Sequence, residues 1–188
     1  MPDPSRVVIW ACWFVLAVVW TIAGLFTKRT VVHAQGAWHA TLLVRVCLIA
    51  VIVLASTAGP VGGRLWAPGP FVGWLSAVLV ATGLAFALWA RAELGRNWSA
   101  SVVLKEGQSL VCSGPYAIVR HPIYTGLIAM ALGTACGGGT AAGVGLVCAL
   151  AAALWAKSRR EERLMAAAFP AEYPGYRRRV RAFVPYLL

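Results

Sequence analysis

Arg120-His121-Pro122-Ile123-Tyr124 puts a guanidinium, an imidazole and a phenol at the point where a polar loop runs into an apolar segment. Beyond that segment the chain answers with Glu161-Glu162, then Tyr173 and Tyr176. Only six acidic residues occur in the whole chain, so two side by side stand out. Most of these groups are charged or donate hydrogen bonds, and they flank sequence that otherwise carries few polar residues. The combination is that of an enzyme site for a charged cofactor.

The elements that must position this site are membrane helices. The chain has 188 residues, 60% of them hydrophobic and 12% charged, with a mean hydropathy of +0.74. Soluble domains are only about half apolar. Residues 7–26 and 67–90 contain no charge and 124–156 are uncharged throughout, whereas a crossing needs about 20 apolar residues. A fourth stretch, 42–58, carries only Arg45, near one end, where a long side chain can snorkel to the interface. The last apolar region is too long for one helix and is broken by Gly137-Gly138-Gly139-Thr140, which divides it into a hairpin of 123–136 and 141–156. At about 1.5 Å per residue each arm is short of a hydrocarbon core of roughly 30 Å.

These segments predict an all-α integral membrane protein with about five transmembrane helices, a C-terminal helical hairpin included, followed by cytoplasmic C-terminal helices. One helix is expected to run on to about Ala168 and stop before Pro170; a short one is expected over 173–180. Residues 1–66 form an N-terminal transmembrane pair and 67–188 the core that carries the site. Lys and Arg gather on the cytoplasmic side of membrane proteins. Five spans place Lys28, Arg29, Arg45, Arg91, Arg96, Lys105, Arg120 and all eight basic residues from Lys157 onward on one side, against Arg6 and Arg64 on the other. The predicted orientation has the N-terminus outside and the C-terminus in the cytoplasm.

The formal net charge of +11 borders membrane spans, so it reads as attraction to anionic lipid and not to nucleic acid. Cys12, Cys47, Cys112, Cys136 and Cys148 are scattered, with no Cys-x-x-Cys and no His at metal-ligand spacing, so no metal site is expected. The first apolar run is longer than a signal-peptide core of about 7 to 15 residues and reads as a retained anchor. Trp10, Trp66, Trp89 and Trp155 lie near span ends and read as interfacial belt residues. In the polar segment before His121, Val102-Val103-Leu104 and Leu110-Val111 suggest two short extended pieces around a Glu-Gly turn. Asn97-Trp98-Ser99 fits a glycosylation sequon, which the cytoplasmic placement argues against.

Gly114-Pro115-Tyr116, Arg120-His121-Pro122-x-Tyr124, Glu161-Glu162-x-x-Met165-x-x-x-Phe169, Tyr173-x-x-Tyr176 and Pro185, in this order around a hairpin, resemble the isoprenylcysteine carboxyl methyltransferase family. Related phospholipid methyltransferases share much of the pattern, and Leu94-Gly95-x-Asn97-Trp98-Ser99-Ala100 is similar to small prokaryotic members. The resemblance covers roughly 91–185; the two N-terminal spans match only in hydropathy. It implies S-adenosylmethionine as cofactor, in a cytoplasmic pocket closed by the C-terminal helices, with a lipophilic small-molecule or prenylated acceptor entering from the membrane lipid.

That cofactor carries a sulfonium, a carboxylate, an ammonium, a ribose and a purine, and its pocket wants cations, carboxylates and aromatic faces together. Arg120 and His121 suit the carboxylate through charge-assisted bonds. A Glu suits the ribose hydroxyls or the ammonium, and Tyr124, Tyr173 or Tyr176 the sulfonium through cation-π attraction. Tyr116, Pro122 and Glu162 complete the cofactor set that the resemblance implies. Neighbours on a helix point about 100° apart, so Glu161 and Glu162 are not expected to share one ligand. Lys157, one turn before Glu161, should form an i,i+4 pair with it. It stands where similar proteins often have arginine, and a point charge does not replace a bidentate donor.

Lys157, Glu161 and Glu162 are the catalytic candidates. A carboxylate acceptor, as in isoprenylcysteine-type substrates, needs no general base and would be positioned by Lys157 or an arginine. An amine or thiol, as in a phospholipid headgroup, must lose a proton first, which would fall to Glu161 or Glu162. Two other readings stay open on the residues alone. An NADPH-dependent sterol-reductase-like enzyme has similar architecture and an Arg-His-x-x-Tyr motif, but Pro122 and the Glu pair favour the methyltransferase. A non-catalytic scaffold or transporter would place ionisable groups inside the spans, where this chain has almost none.

Overall fold

The computed structural model of the protein describes residues 3–24, 30–33, 42, 44–50, 63–95, 98, 103–105, 107 and 109–185. The helices are α1 (Pro4–Gly24), α2 (described over 44–50), α3 (Pro70–Leu94), α4 (Pro122–Gly138), α5 (Ala141–Ala168) and α6 (Tyr173–Arg179). A 3-10 turn at Gly114–Ala117 and two short strands, β1 (Thr30–His33) and β2 (Val103–Lys105), complete the described elements. Among the described residues, three helices, α1, α3 and α5, are long and apolar enough to cross a membrane; α4 is apolar but shorter, at 17 residues. The chain is thus all-α and built for a bilayer, with the hairpin break and the ends of α5 and α6 close to where the sequence puts them.

Local chemistry sets these boundaries. Proline occupies the first turn of α3, α4 and α6, where its missing N–H is one the helix leaves unpaired anyway. Thr140 caps α5, its hydroxyl oxygen accepting from Gly143 N at 3.1 Å. Phe169, directly before Pro170, ends it. Between α4 and α5, Gly139 sits at φ 64°, the left-handed conformation that closes a helix and favours glycine. A Cβ there would also collide with the Trp66 carbonyl oxygen. Residues 63–66 lie across this turn: Leu65 N donates to Gly139 O at 2.8 Å, Ala141 N to Gly63 O at 3.1 Å and Trp66 Nε1 to Cys136 O at 3.0 Å. The connector before α3 is therefore a clasp on the apex of the hairpin.

The core is the crossing of α3 and α4, which run antiparallel at backbone contact. A Cβ on Gly83 would lie 2.8 Å from Gly126 O, one on Gly126 2.5 Å from Gly83 O, and one on Gly133 2.8 Å from Ser76 O. Small residues allow such approach in lipid, where packing and not hydrophobic exclusion drives helix association. Helix α1 runs parallel to α3, with Ser5 near Gly73 at one end and Ala23 near Arg91 at the other. It is pinned to α4 by a buried bond from Trp13 Nε1 to Thr134 Oγ1 at 3.0 Å.

One expectation is overturned. Strand β2 does not fold back on Leu110-Val111, which are not in a strand; it pairs antiparallel with β1, with Thr30 opposite Lys105 and His33 opposite Val103. The β-branched signal was local and correct for Val103, but the pairing is long-range, joining the loops after α1 and α3. Of the second expected span, 44–50 are helical, and Val44 and Cys47 are buried in the core. The rest of that span beyond 50, together with Lys28, Arg29, Arg96, Asn97 and Ser99, falls outside the described residues.

Candidate active site

The charged residues converge at one end of the bundle, where α4 begins, α5 passes and α6 folds back. Arg120 is the link between all three. Its Nε and Nη2 donate to Glu162 Oε1 at 2.9 and 2.7 Å, and its Nη1 donates to Arg177 O at 3.2 Å and to Val180 O. A guanidinium has five N–H groups, so most of this one is engaged by the protein itself. One side chain joins the start of α4 to α5 and satisfies carbonyls at the end of α6.

His121 lies between the two carboxylates. Its Nε2 is 3.3 Å from Glu162 Oε1 and its Nδ1 is 3.6 Å from Glu161 Oε2. The adjacent glutamates do diverge on the helix, and the imidazole bridges the divergence with its opposite nitrogens. Tyr124 stacks on His121 at 5.4 Å and 3° and donates its hydroxyl to Glu161. Lys157 is buried with its Nζ 3.9 Å from Glu161 Oε1, the expected i,i+4 pair, and 5.2 Å from the centre of the Tyr124 ring. Pro122 is buried at the start of α4, one residue beyond this cluster.

The aromatic residues form the adjoining wall. Tyr173 and Tyr176 are buried, 6.1 Å apart edge to face, and Tyr176 donates to the Tyr116 carbonyl at 2.7 Å. Tyr116 is itself buried. Burial, reinforced by nearby Glu161 for Tyr116 and by Glu162 for Tyr173, holds both phenols well above the ordinary tyrosine range, and burial does the same for Tyr176. All three stay neutral at pH 7 and serve as hydrogen-bond donors and ring faces, not as bases.

Every residue that the sequence named as a catalytic or cofactor-binding candidate thus lies in this region. Sequence reasoning missed others. Phe183 stacks on His121 at 5.5 Å and lies 5.8 Å from Trp155, so Trp155, 45% exposed, is also a neighbour of the site. Phe183 is brought there by backbone pairing, with Arg120 N donating to Arg181 O at 2.7 Å and His121 N to Ala182 O at 3.0 Å. Thr125 Oγ1 adds a bond to Phe183 O at 2.8 Å. The motif residue Pro185, two positions on, was the available signal. Arg177, whose Nε is 3.5 Å from Glu162 Oε2, had been counted only among the basic residues facing lipid.

The phospholipid methyltransferase family matches residues 71–172, from the start of α3 to the turn before α6. The chain belongs to that family. The matched stretch holds Tyr116, the 120–124 motif, Lys157 and both glutamates, while Tyr173, Tyr176 and Phe183 lie just past its edge. Two curated proteins are similar. The chain is 38% identical over 117 residues to the cobalt-zinc-cadmium resistance protein CzcN of Cupriavidus metallidurans, covering 61% of this chain and 52% of that protein. It is 32% identical over 162 residues to the nickel-cobalt-cadmium resistance protein NccN of Alcaligenes xylosoxydans xylosoxydans, covering 82% of this chain and 66% of that one. The chain therefore spans about half of the first relative and about two thirds of the second. Among its own described residues, no group of three or more His, Cys, Asp or Glu is placed to hold a metal ion.

In this phospholipid methyltransferase-family site, burial would lower the His121 pKa, but Glu161 and Glu162 outweigh it and raise the value above the ordinary one. The folded state therefore binds this proton more tightly than the unfolded chain, for which about 6.5 is normal. The stabilisation is complete below about pH 6.5 and is lost as pH rises through the folded-state value. Thermal unfolding in detergent should show the wild-type midpoint falling over that alkaline interval, with a flatter profile for His121→Gln. Parallel profiles would mean that His121 is neutral in the fold.

Proposed function

We propose that the protein is an integral-membrane methyltransferase that uses S-adenosylmethionine to methylate a lipophilic acceptor, with the carboxylate of a prenylated cysteine as the leading acceptor. The observation that carries this reading is the charge balance of the buried constellation. Buried Arg120 and Lys157 match Glu161 and Glu162 charge for charge, and the positive surplus comes from Arg177, whose half-exposed side chain reaches Glu162 from the rim. A cofactor with an amino acid carboxylate fits that surplus. The two glutamates and the stacked rings of His121, Tyr124 and Phe183 fit its cationic groups. When bound, S-adenosylmethionine supplies an electrophilic methyl group.

The chain's own residues do the rest. Arg120, His121, Tyr124 and Glu162 form one wall of the cofactor pocket, and Tyr116, Pro122, Tyr173 and Tyr176 another. Arg120 acts by fixing Glu162 against α6, so the wall is rigid before the cofactor arrives. Burial of these groups excludes water, which would compete for the methyl group. Lys157 orients the acceptor carboxylate. Five spans, with 1–66 as an N-terminal pair, 67–188 as the catalytic core, the N-terminus outside and the C-terminus in the cytoplasm, place this site at the cytoplasmic face beside the lipid. The names of the two relatives set such an activity in a metal-resistance context, and an amine or thiol acceptor is the alternative within the same family.

The test is incubation of purified protein with methyl-labelled S-adenosylmethionine and three acceptors: a prenylcysteine, a phosphatidylethanolamine and a simple thiol. Labelled prenylcysteine ester, formed at a rate flat between about pH 6 and 8 because no acceptor proton is removed, is the expected result. Labelled amine with a rate rising over that interval would move the acceptor to the phospholipid. No labelled product, with no cofactor binding by folded protein, would sink the reading.

A further inference from the structure

Arg91, at the end of α3, has among the described residues none of the carboxylate contacts that occupy the other buried cations. It is 7% exposed. Its Nη1 donates to Gly95 O at 2.6 Å and its Nη2 to Ala23 O at 2.9 Å, both neutral carbonyls, while its Nε is buried with no hydrogen-bond partner among the described residues. The guanidinium lies 4.6 Å over the ring of Trp98, which meets Trp20 edge to face at 5.9 Å. The nearest acid along its helix, Glu93, is turned to Ser113 and Gly114. A buried charge without a counter-ion is costly, and an unpaired donor on it adds to that cost.

The position is informative. Arg91 stands where α1, α3 and the chain around Trp98 meet, at the same end of the bundle as Glu161 and Glu162. The buried phenol of Tyr116 is within electrostatic reach of both Arg91 and Glu161.

We propose that Arg91 is the anion anchor of the acceptor subsite: its unpaired Nε takes an oxygen of a carboxylate or phosphate on the lipophilic substrate, with Trp98 beneath the guanidinium plane. A prenylcysteine brings there the carboxylate oxygen that is not methylated, with Lys157 on the side of the reacting one, and a phospholipid brings its phosphate. Planar, weakly hydrated guanidinium suits both oxyanions and stacks on aromatic faces, which lysine does not. The inference rests on the methyltransferase reading for calling the ligand a substrate. Its test reads binding alone, so the two fail separately.

The experiment is thermal unfolding of the full chain in neutral detergent with three amphiphiles: an N-acetyl farnesylcysteine, its uncharged amide, and dodecyl phosphate. The farnesylcysteine or the phosphate should raise the midpoint where the amide does not, and whichever does so names the source of the anion. Arg91→Gln should lose that anion-dependent difference, its affinity falling at least about tenfold, the size of one charge-assisted bond. Arg91→Lys keeps the charge without the forked donor and should lose most of it too; it serves if the glutamine variant does not fold. A midpoint raised equally by amide and acid in the wild type would overturn the proposal, as would an anion-dependent shift retained in both variants.

Discussion

Glu162→Ala should destabilise the protein by about 3–5 kcal/mol, the range for removing one partner of a buried ion pair, and abolish cofactor binding with it. Glu162 is 6% exposed and is the carboxylate on which Arg120, His121 and Arg177 converge. Its removal leaves Arg120 buried with a charge and two emptied donors, and α6 loses its tie to α5 through that guanidinium. The larger part of the loss comes from the stranded charge and not from the bond itself. Arg120→Met combined with Glu162→Leu should therefore recover much of the stability that Glu162→Ala loses, while methyl transfer stays absent. Denaturation midpoints of the three proteins in detergent, with binding of labelled S-adenosylmethionine, check this. A double variant no more stable than Glu162→Ala would show that the pair, not the stranded charge, carries the energy.

Gly126→Ala should cost about 1–3 kcal/mol as an overpacking change, and Gly126→Leu should leave little folded protein. The added Cβ would meet Gly83 O at 2.5 Å and the Ala87 Cβ at 2.9 Å, atoms of a neighbouring helix that cannot rotate aside. Relief requires α3 and α4 to separate. Gly126 lies two residues from Tyr124 and five from His121, so the separation also shifts the origin of the site. The alanine protein should show a lower unfolding midpoint and a weaker cofactor affinity together. Gly145→Ala, where an added Cβ meets nothing within 4 Å, is the control and should leave both unchanged. A Gly126→Ala protein with a wild-type midpoint would mean that the crossing is looser than described.

What the sequence made legible was what local chemistry decides. The hairpin break is written in Gly137-Gly138-Gly139-Thr140, the end of α5 in Pro170, and the start of α4 in Pro122, because each fixes the backbone of its own neighbourhood. The clustering of Arg120, His121, Lys157 and the glutamates was legible because ionisable groups are rare in this chain. What pairs with what was not. That one imidazole would receive both glutamates, that β2 would seek β1 across the intervening helices, and that Phe183 would be carried onto His121 by backbone bonds all depend on contacts between distant segments. Arg91 shows the limit most sharply. A basic residue at a span end has an ordinary interfacial explanation, and only its burial and its neutral partners distinguish it from Arg45 or Arg64.

The clasp of residues 63–66 on the hairpin apex bears on the opposite end of the bundle. Helix α5 starts at that clasp and continues without interruption for 28 residues to the turn before α6, with Glu161 and Glu162 on its final stretch. It spans about 42 Å, whereas α4, held at the same apex, covers about 25 Å. The carboxylates and the imidazole between them ride on two rods of unequal length hinged at one fixed pivot. Any tilt of one rod against the other about that apex would change the spacing of His121 and the glutamates.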